Sequence, residues 1–195
     1  MNRINFTQSY LVFNSVAINK CMNKRQLTQA NHEYIGNLAS HCTHGLTLQT
    51  KLKTLNISDW QMQRHIENAD RAMHEFKKRL NWLLTGNGYK RSPSKLPIIV
   101  VALEGTQNTY DYNRTLHYHM AIGNFDLNRL NETFLTQLTT HWQRTGIGTN
   151  NIKFEPLIKG HEYGWGTYIN KEQNKGNDLC IDLIHTQIPS HLLVD

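Results

Sequence analysis

Residues 116–123 read LHYHMAIG, apolar and polar in turn, with His117 and His119 in the polar slots. Side chains two apart on a strand share a face, so the two imidazoles point the same way while Leu116, Tyr118 and Met120 turn into a core. Upstream, LPIIVVALEG at 96–105 is a β-branched run of strand length that closes on one carboxylate, Glu104. Glu104 shares its side with Val100 and Ala102; Ile99, Val101 and Leu103 take the other. If the two runs form an antiparallel hairpin, Glu104 lies beside both histidines. Two neutral imidazoles and a carboxylate with open positions suit a catalytic divalent ion, Mg2+ or Mn2+. The competing reading is a structural ion pair of Glu104 with a nearby Lys or Arg, since a buried carboxylate is costly unless paired or ligated. With 11 histidines in 195 residues, about 0.6 His-x-His pairs arise by chance. The strand context therefore carries the argument, and the pair alone does not.

A second constellation lies in HEYGWGTYINKEQN, 161–174, where Tyr168 and Lys171 stand three apart, neighbours on one helical face. A phenol with a pKa near 10 is a poor nucleophile at neutral pH and needs a cation beside it. Lys171 and a metal ion would both supply that field. About 0.5 such Tyr-x-x-Lys pairs are expected by chance, so the order of elements matters: a strand with Glu, a strand with His-x-His, a helix, a strand, then the Tyr/Lys helix. Trp165, between two glycines, is placed either to stack on a base or to pack beneath that helix. His41, His44, His161 and His185 fall near element ends; surface or hydrogen-bonded roles are favoured over metal or phosphate contacts.

These residues need a scaffold, and its pattern is readable. HGLTLQTK at 44–51 is strand-like. Ser58 and Gln61 form a capping-box pair ahead of Ile66, Ala69, Met73, Phe76, Leu80 and Leu83, which recur every three or four residues; Gly86 supplies the stop. The opposite face carries Arg64, Glu67, Arg71, Glu75, Lys78 and Arg79, and with Lys77 reads as a solvated helix face. Asp126 is positioned to cap a second helix with Leu127, Leu130, Phe134, Leu138 and Trp142 inward. Trp60 and Trp142 fit the core faces of their helices. NNIKFEPLI at 150–158 and CIDLI at 180–184 read as strands. The fold expected is α+β, a central antiparallel sheet of about five strands flanked by helices. Residues 1–40 read as a helical appendage and 41–195 as the compact domain.

Composition bounds the partners. The net charge of +6 and pI of about 9.3 favour a polyanion, because Lys and Arg release counterions from phosphates. No run of about 18 apolar residues is present, so no membrane span is expected. The first residues lack a signal-peptide pattern, and Cys21, Cys42 and Cys180 read as free thiols; both point to the cytoplasm. No GxxxxGK[ST] occurs, so a P-loop helicase and a nucleotide cofactor are not expected.

The strand HYHMAIG followed about fifty residues later by YINK resembles the HUH endonuclease superfamily. The motif order is similar to that of plasmid and phage rolling-circle replication initiators, over roughly residues 41–185. The resemblance implies the ferredoxin-like variant of the α+β fold that these nucleases share. It also implies a metal-dependent nickase acting on single-stranded or hairpin origin DNA, joining its tyrosine to the 5′ phosphate and leaving a free 3′ hydroxyl. Tyr168 would be the nucleophile, Lys171 its helper, and His117, His119 and Glu104 the ligands. LTLQT at 46–50 falls where the first motif strand belongs, which would set Thr47 and Gln49, with His161 and Trp165, against the DNA. Tyr163 is five residues before Tyr168, about 140° round a helix, whereas two-tyrosine initiators place the pair four apart. One nucleophile is favoured, but Gly164 and Gly166 could delay the helix and keep Tyr163 as a second candidate. Host helicase and polymerase are the implied partners. The rival readings are a single-strand transposase or relaxase, a non-catalytic nucleic-acid-binding module, and a phosphodiesterase with HTQ at 185–187 as a second half-site.

Overall fold

A computed structural model describes residues 24–90, 92–106, 114–158, 160, 164–165 and 181–192. Its longest helix, α2 (Asp59–Thr85), follows α1 (Lys24–Ser40) and precedes α3 (Phe134–Gln143). At the start of α2 the Ser58 hydroxyl accepts from the Gln61 backbone N–H at 3.2 Å, while the Gln61 side chain accepts from the Ser58 N–H at 2.9 Å. Two donors that a helix start leaves unpaired are thereby satisfied. Gly86, at φ 63°, ends the helix in a backbone conformation that a side chain would strain.

Four antiparallel strands, β1 (Cys42–Lys53), β2 (Ile98–Glu104), β3 (Thr115–Gly123) and β4 (Gly148–Pro156), form one sheet in the order β2-β3-β1-β4. Period-two alternation gives the sheet two distinct faces. Leu46, Leu48, Val101, Leu116, Tyr118 and Met120 meet Met73, Phe76, Leu80 and Trp142 of α2 and α3. On the other face Ile98, Val100, Ala102 and Ala121 meet Ile35, Leu38 and Ala39 of α1, which lies within the stretch expected to be helical.

Three expectations are corrected. Among the described residues there are four strands, and no fifth: the described part of the run expected at 180–184 makes one isolated bridge to the outer edge of β2, Ile181 with Ala102, and Gln187 beyond it makes another with Ile99. The Asp182 carboxylate accepts from the His185 backbone N–H at 3.0 Å and lies 2.6 Å from its Nδ1. These local bonds turn the chain at 183–185 and compete with strand pairing. Asn81 and Gln187 exchange side-chain hydrogen bonds at 3.0 Å and pin the segment to α2. Asp126 caps a short 3-10 turn, Leu127–Arg129, and α3 begins only at Phe134; Leu127 is exposed. Trp60 is 66% exposed, not a core residue. It stands two residues, about 200°, from Met62 on the buried stripe, and the Arg64 guanidinium lies 5.0 Å from its ring. No described helix is long and apolar enough to cross a membrane.

Candidate metal centre

The pairing of β2 with β3 sets Glu104 directly opposite His117 and Ala102 opposite His119. All three polar side chains emerge on the α1 face of the sheet, because their neighbours Leu103, Leu116, Tyr118 and Met120 fill the core on the other. Glu104 Oε2 lies 3.3 Å from His117 Nε2 and 3.6 Å from His119 Nε2. The imidazole planes are 85° apart with centroids at 5.0 Å. Glu104 and His119 are buried, His117 half-buried. The structure thus brings together all three residues that the sequence nominates as ligands, as a group able to hold a metal ion.

The second nitrogen of each ring is engaged elsewhere. His117 Nδ1 is 3.0 Å from the Thr115 carbonyl oxygen. A carbonyl only accepts, so Nδ1 carries the proton and Nε2 keeps its lone pair toward Glu104. His119 Nδ1 is 3.0 Å from Thr47 Oγ1, one strand away on β1. Orientation of a ligating imidazole through its other nitrogen is the usual arrangement around a metal. The His117 lone pair, His119 Nε2 and a carboxylate converging at these distances fit a divalent ion.

The group opens onto a cleft of about 730 Å3. Thr47 and Gln49 of β1 line it, as do Asn151, Lys153 and Glu155 of β4. The β1–β4 register places Thr47 against Lys153 and Gly45 against Glu155. Lys153 and Asn151 went unremarked in the sequence, although Ile152 and Phe154 alternate inward and force them outward. The Gln49 amide also donates to Thr115 Oγ1, tying β1 to the strand of the histidines.

Trp165 forms one wall. Its indole N–H donates to the Met120 carbonyl at 3.3 Å, and its ring is edge-on to His119 at 6.1 Å. It lies so close over β1 that a Cβ at Gly45 would come within 2.9 Å of it. Of the two roles expected for Trp165, the packed one describes this ring.

Tyr168, Lys171, Tyr163 and His161 lie outside the described residues, as do Cys21 and Cys180. Cys42 is buried between α1 and the sheet, which pushes its thiol up to about 12. His44 is buried and stacked on Phe154 at 4.9 Å, burial holding it below its ordinary value. His185 is buried against Asp182, and His41 is exposed; neither joins the metal group. No family model matches the chain, and no curated protein or solved structure matches it either.

Proposed function

We propose that this chain is a metal-dependent endonuclease of HUH type that nicks and rejoins single-stranded DNA as a replication initiator. The observation that supports this reading best is the convergence of Glu104 Oε2 with the Nε2 atoms of His117 and His119, within 3.6 Å, at the wall of an open cleft. When bound, Mg2+ or Mn2+ would polarise the scissile phosphate and offset its developing charge. Lys153, Asn151, Gln49 and Thr47 are the cleft's own groups for holding a DNA strand in register with that site.

Tyr168 supplies the nucleophile in this reading. Its phenolate oxygen, the proton given to solvent, bonds to phosphorus in line as the bond to the 3′ oxygen breaks, and that oxygen takes a proton from solvent to leave as a 3′ hydroxyl. The phosphotyrosine diester keeps the bond energy, so a 3′ hydroxyl can later reverse the step and reseal the strand. Lys171 favours the phenolate electrostatically. Strand opening and extension fall to host helicase and polymerase.

Incubation of labelled single-stranded and hairpin oligonucleotides with the protein and Mn2+ or Mg2+ should yield a covalent protein–DNA band. The band should disappear in Tyr168→Phe, in His117→Ala and in EDTA, and persist in Tyr163→Phe. An adduct surviving Tyr168→Phe, or full nicking in EDTA, would overturn the assignment. Binding without cleavage under any divalent ion would instead identify a non-catalytic DNA-binding module.

A further inference from the structure

A second cleft, of about 390 Å3, lies between α2 and α3 on the opposite face of the sheet from the metal group. Arg71 and Arg79 of α2 enter it from one side, Arg144 and His141 of α3 and its cap from the other, over an apolar floor of Ala72 and Ile147. Three guanidiniums around one concavity repel one another unless an anion joins them. The acid on the wall does not serve. Glu75 is bonded to Lys78 at 2.9 Å, the largest influence holding its carboxyl below the usual range, and Arg79 and His74 add only their more distant charges. Among the described residues neither Arg79 nor Arg144 forms an ion pair. Arg71 is held by the Asn68 side-chain oxygen, which aims it without neutralising it.

Two neighbours narrow the class of anion. His141 Nδ1 is buried and has no hydrogen-bond partner among the described residues. Burial and the charges of Arg79 and Arg144 lower the pKa of that ring, and its unpaired nitrogen is placed to donate a hydrogen bond to an oxyanion. Beside it stands Trp82, one turn on from Arg79, 43% exposed and edge-on to His141 at 6.4 Å. A cationic pocket flanked by an exposed indole suits a phosphate linked to a base, since stacking on an aromatic tolerates any base. The cleft also meets the β4 edge of the sheet: Ile147, just before β4, borders it, and Asn151 within β4 borders the metal cleft.

We propose that the Arg71–Arg79–Arg144 cleft binds the phosphate backbone of a single nucleic-acid strand, with a base laid on Trp82, and leads that strand around the β4 edge. The inference shares a nucleic-acid partner with the nickase reading but needs neither the metal nor the tyrosine. It is tested in EDTA, by anisotropy of a labelled single strand of about 20 nucleotides over a range of salt. The double variant Arg79→Ala/Arg144→Ala should reduce the slope of log K against log[salt] by about 1.4, the share of two phosphate contacts to a single strand. Arg79→Lys/Arg144→Lys should keep most of the slope. Trp82→Ala should weaken binding roughly 5- to 150-fold for a base-bearing strand, while leaving an abasic phosphodiester chain unaffected. Arg79, Trp82 and Arg144 are exposed, and thermal melts of the variants should match those of the parent protein, showing an intact fold. Unchanged affinity and slope in the Arg79→Ala/Arg144→Ala variant would overturn the site. Loss of inorganic-phosphate binding alone, with the oligonucleotide bound as before, would assign a small phosphorylated ligand and overturn the strand. An unaltered base-bearing complex in Trp82→Ala would overturn the stacking.

Discussion

The distant nitrogens of the two histidines decide how well the centre is built. Thr47 Oγ1 at 3.0 Å fixes the His119 ring from a neighbouring strand, so Thr47→Val, which keeps the shape and removes the hydroxyl, should weaken metal binding roughly 10- to 100-fold. Calorimetric titration with Mn2+ reads this directly; unchanged affinity would show that the ring is held by packing alone. A different histidine contributes to acid stability. Burial lowers His44 from its ordinary 6.5. Between the lowered value and 6.5 the unfolded chain takes up a proton that the folded chain refuses. The contribution of the neutral ring is therefore complete above 6.5 and fades as the pH falls below it. His44→Phe preserves the stack on Phe154 and removes the titration, so its Tm should fall less steeply on acidification than that of the parent. Parallel Tm–pH curves would exclude His44 as the source.

At the level of elements, local pattern was enough wherever one face met a core. The capping box of α2 was visible as Ser58 and Gln61, and Ser58→Ala should cost about 1 kcal/mol, lowering Tm by roughly 2–4 °C in a thermal melt; no change would mean that solvent caps the helix equally well. The hairpin was legible too. Val101 and Leu103 on β2, with Leu116, Tyr118 and Met120 on β3, must face one core, which leaves Glu104 and the histidines on the reverse. What escaped was non-local or competitive. Lys153 becomes a cleft residue only through pairing of β4 with β1, and no alternation within 150–158 announces its partner. The segment after residue 180 has a strand-like composition, but Asp182 binds His185 and turns the chain first. Trp60 was misplaced because a large apolar ring outweighed its phase, two residues from the stripe.

For the molecule as a whole, a ligand that binds only the folded form adds to its stability. Mn2+ at a hundredfold its Kd should contribute about 2.7 kcal/mol, raising Tm by roughly 5–10 °C. Glu104→Gln keeps the size of the side chain and removes its charge, and should abolish the shift; a shift of equal size in that variant would place the ion elsewhere. The strand that carries both histidines is paired on each side, to β2 and to β1, and its alternate residues are locked in the core. A slip of one position would exchange His117 and His119 for Leu116, Tyr118 and Met120, so no half-formed arrangement of donors is available. Ion loading then becomes a question of kinetics more than of conformation. With the donors already assembled, capture of an ion there would be a single bimolecular event, its rate rising in proportion to ion concentration and limited by how readily the ion sheds its own water.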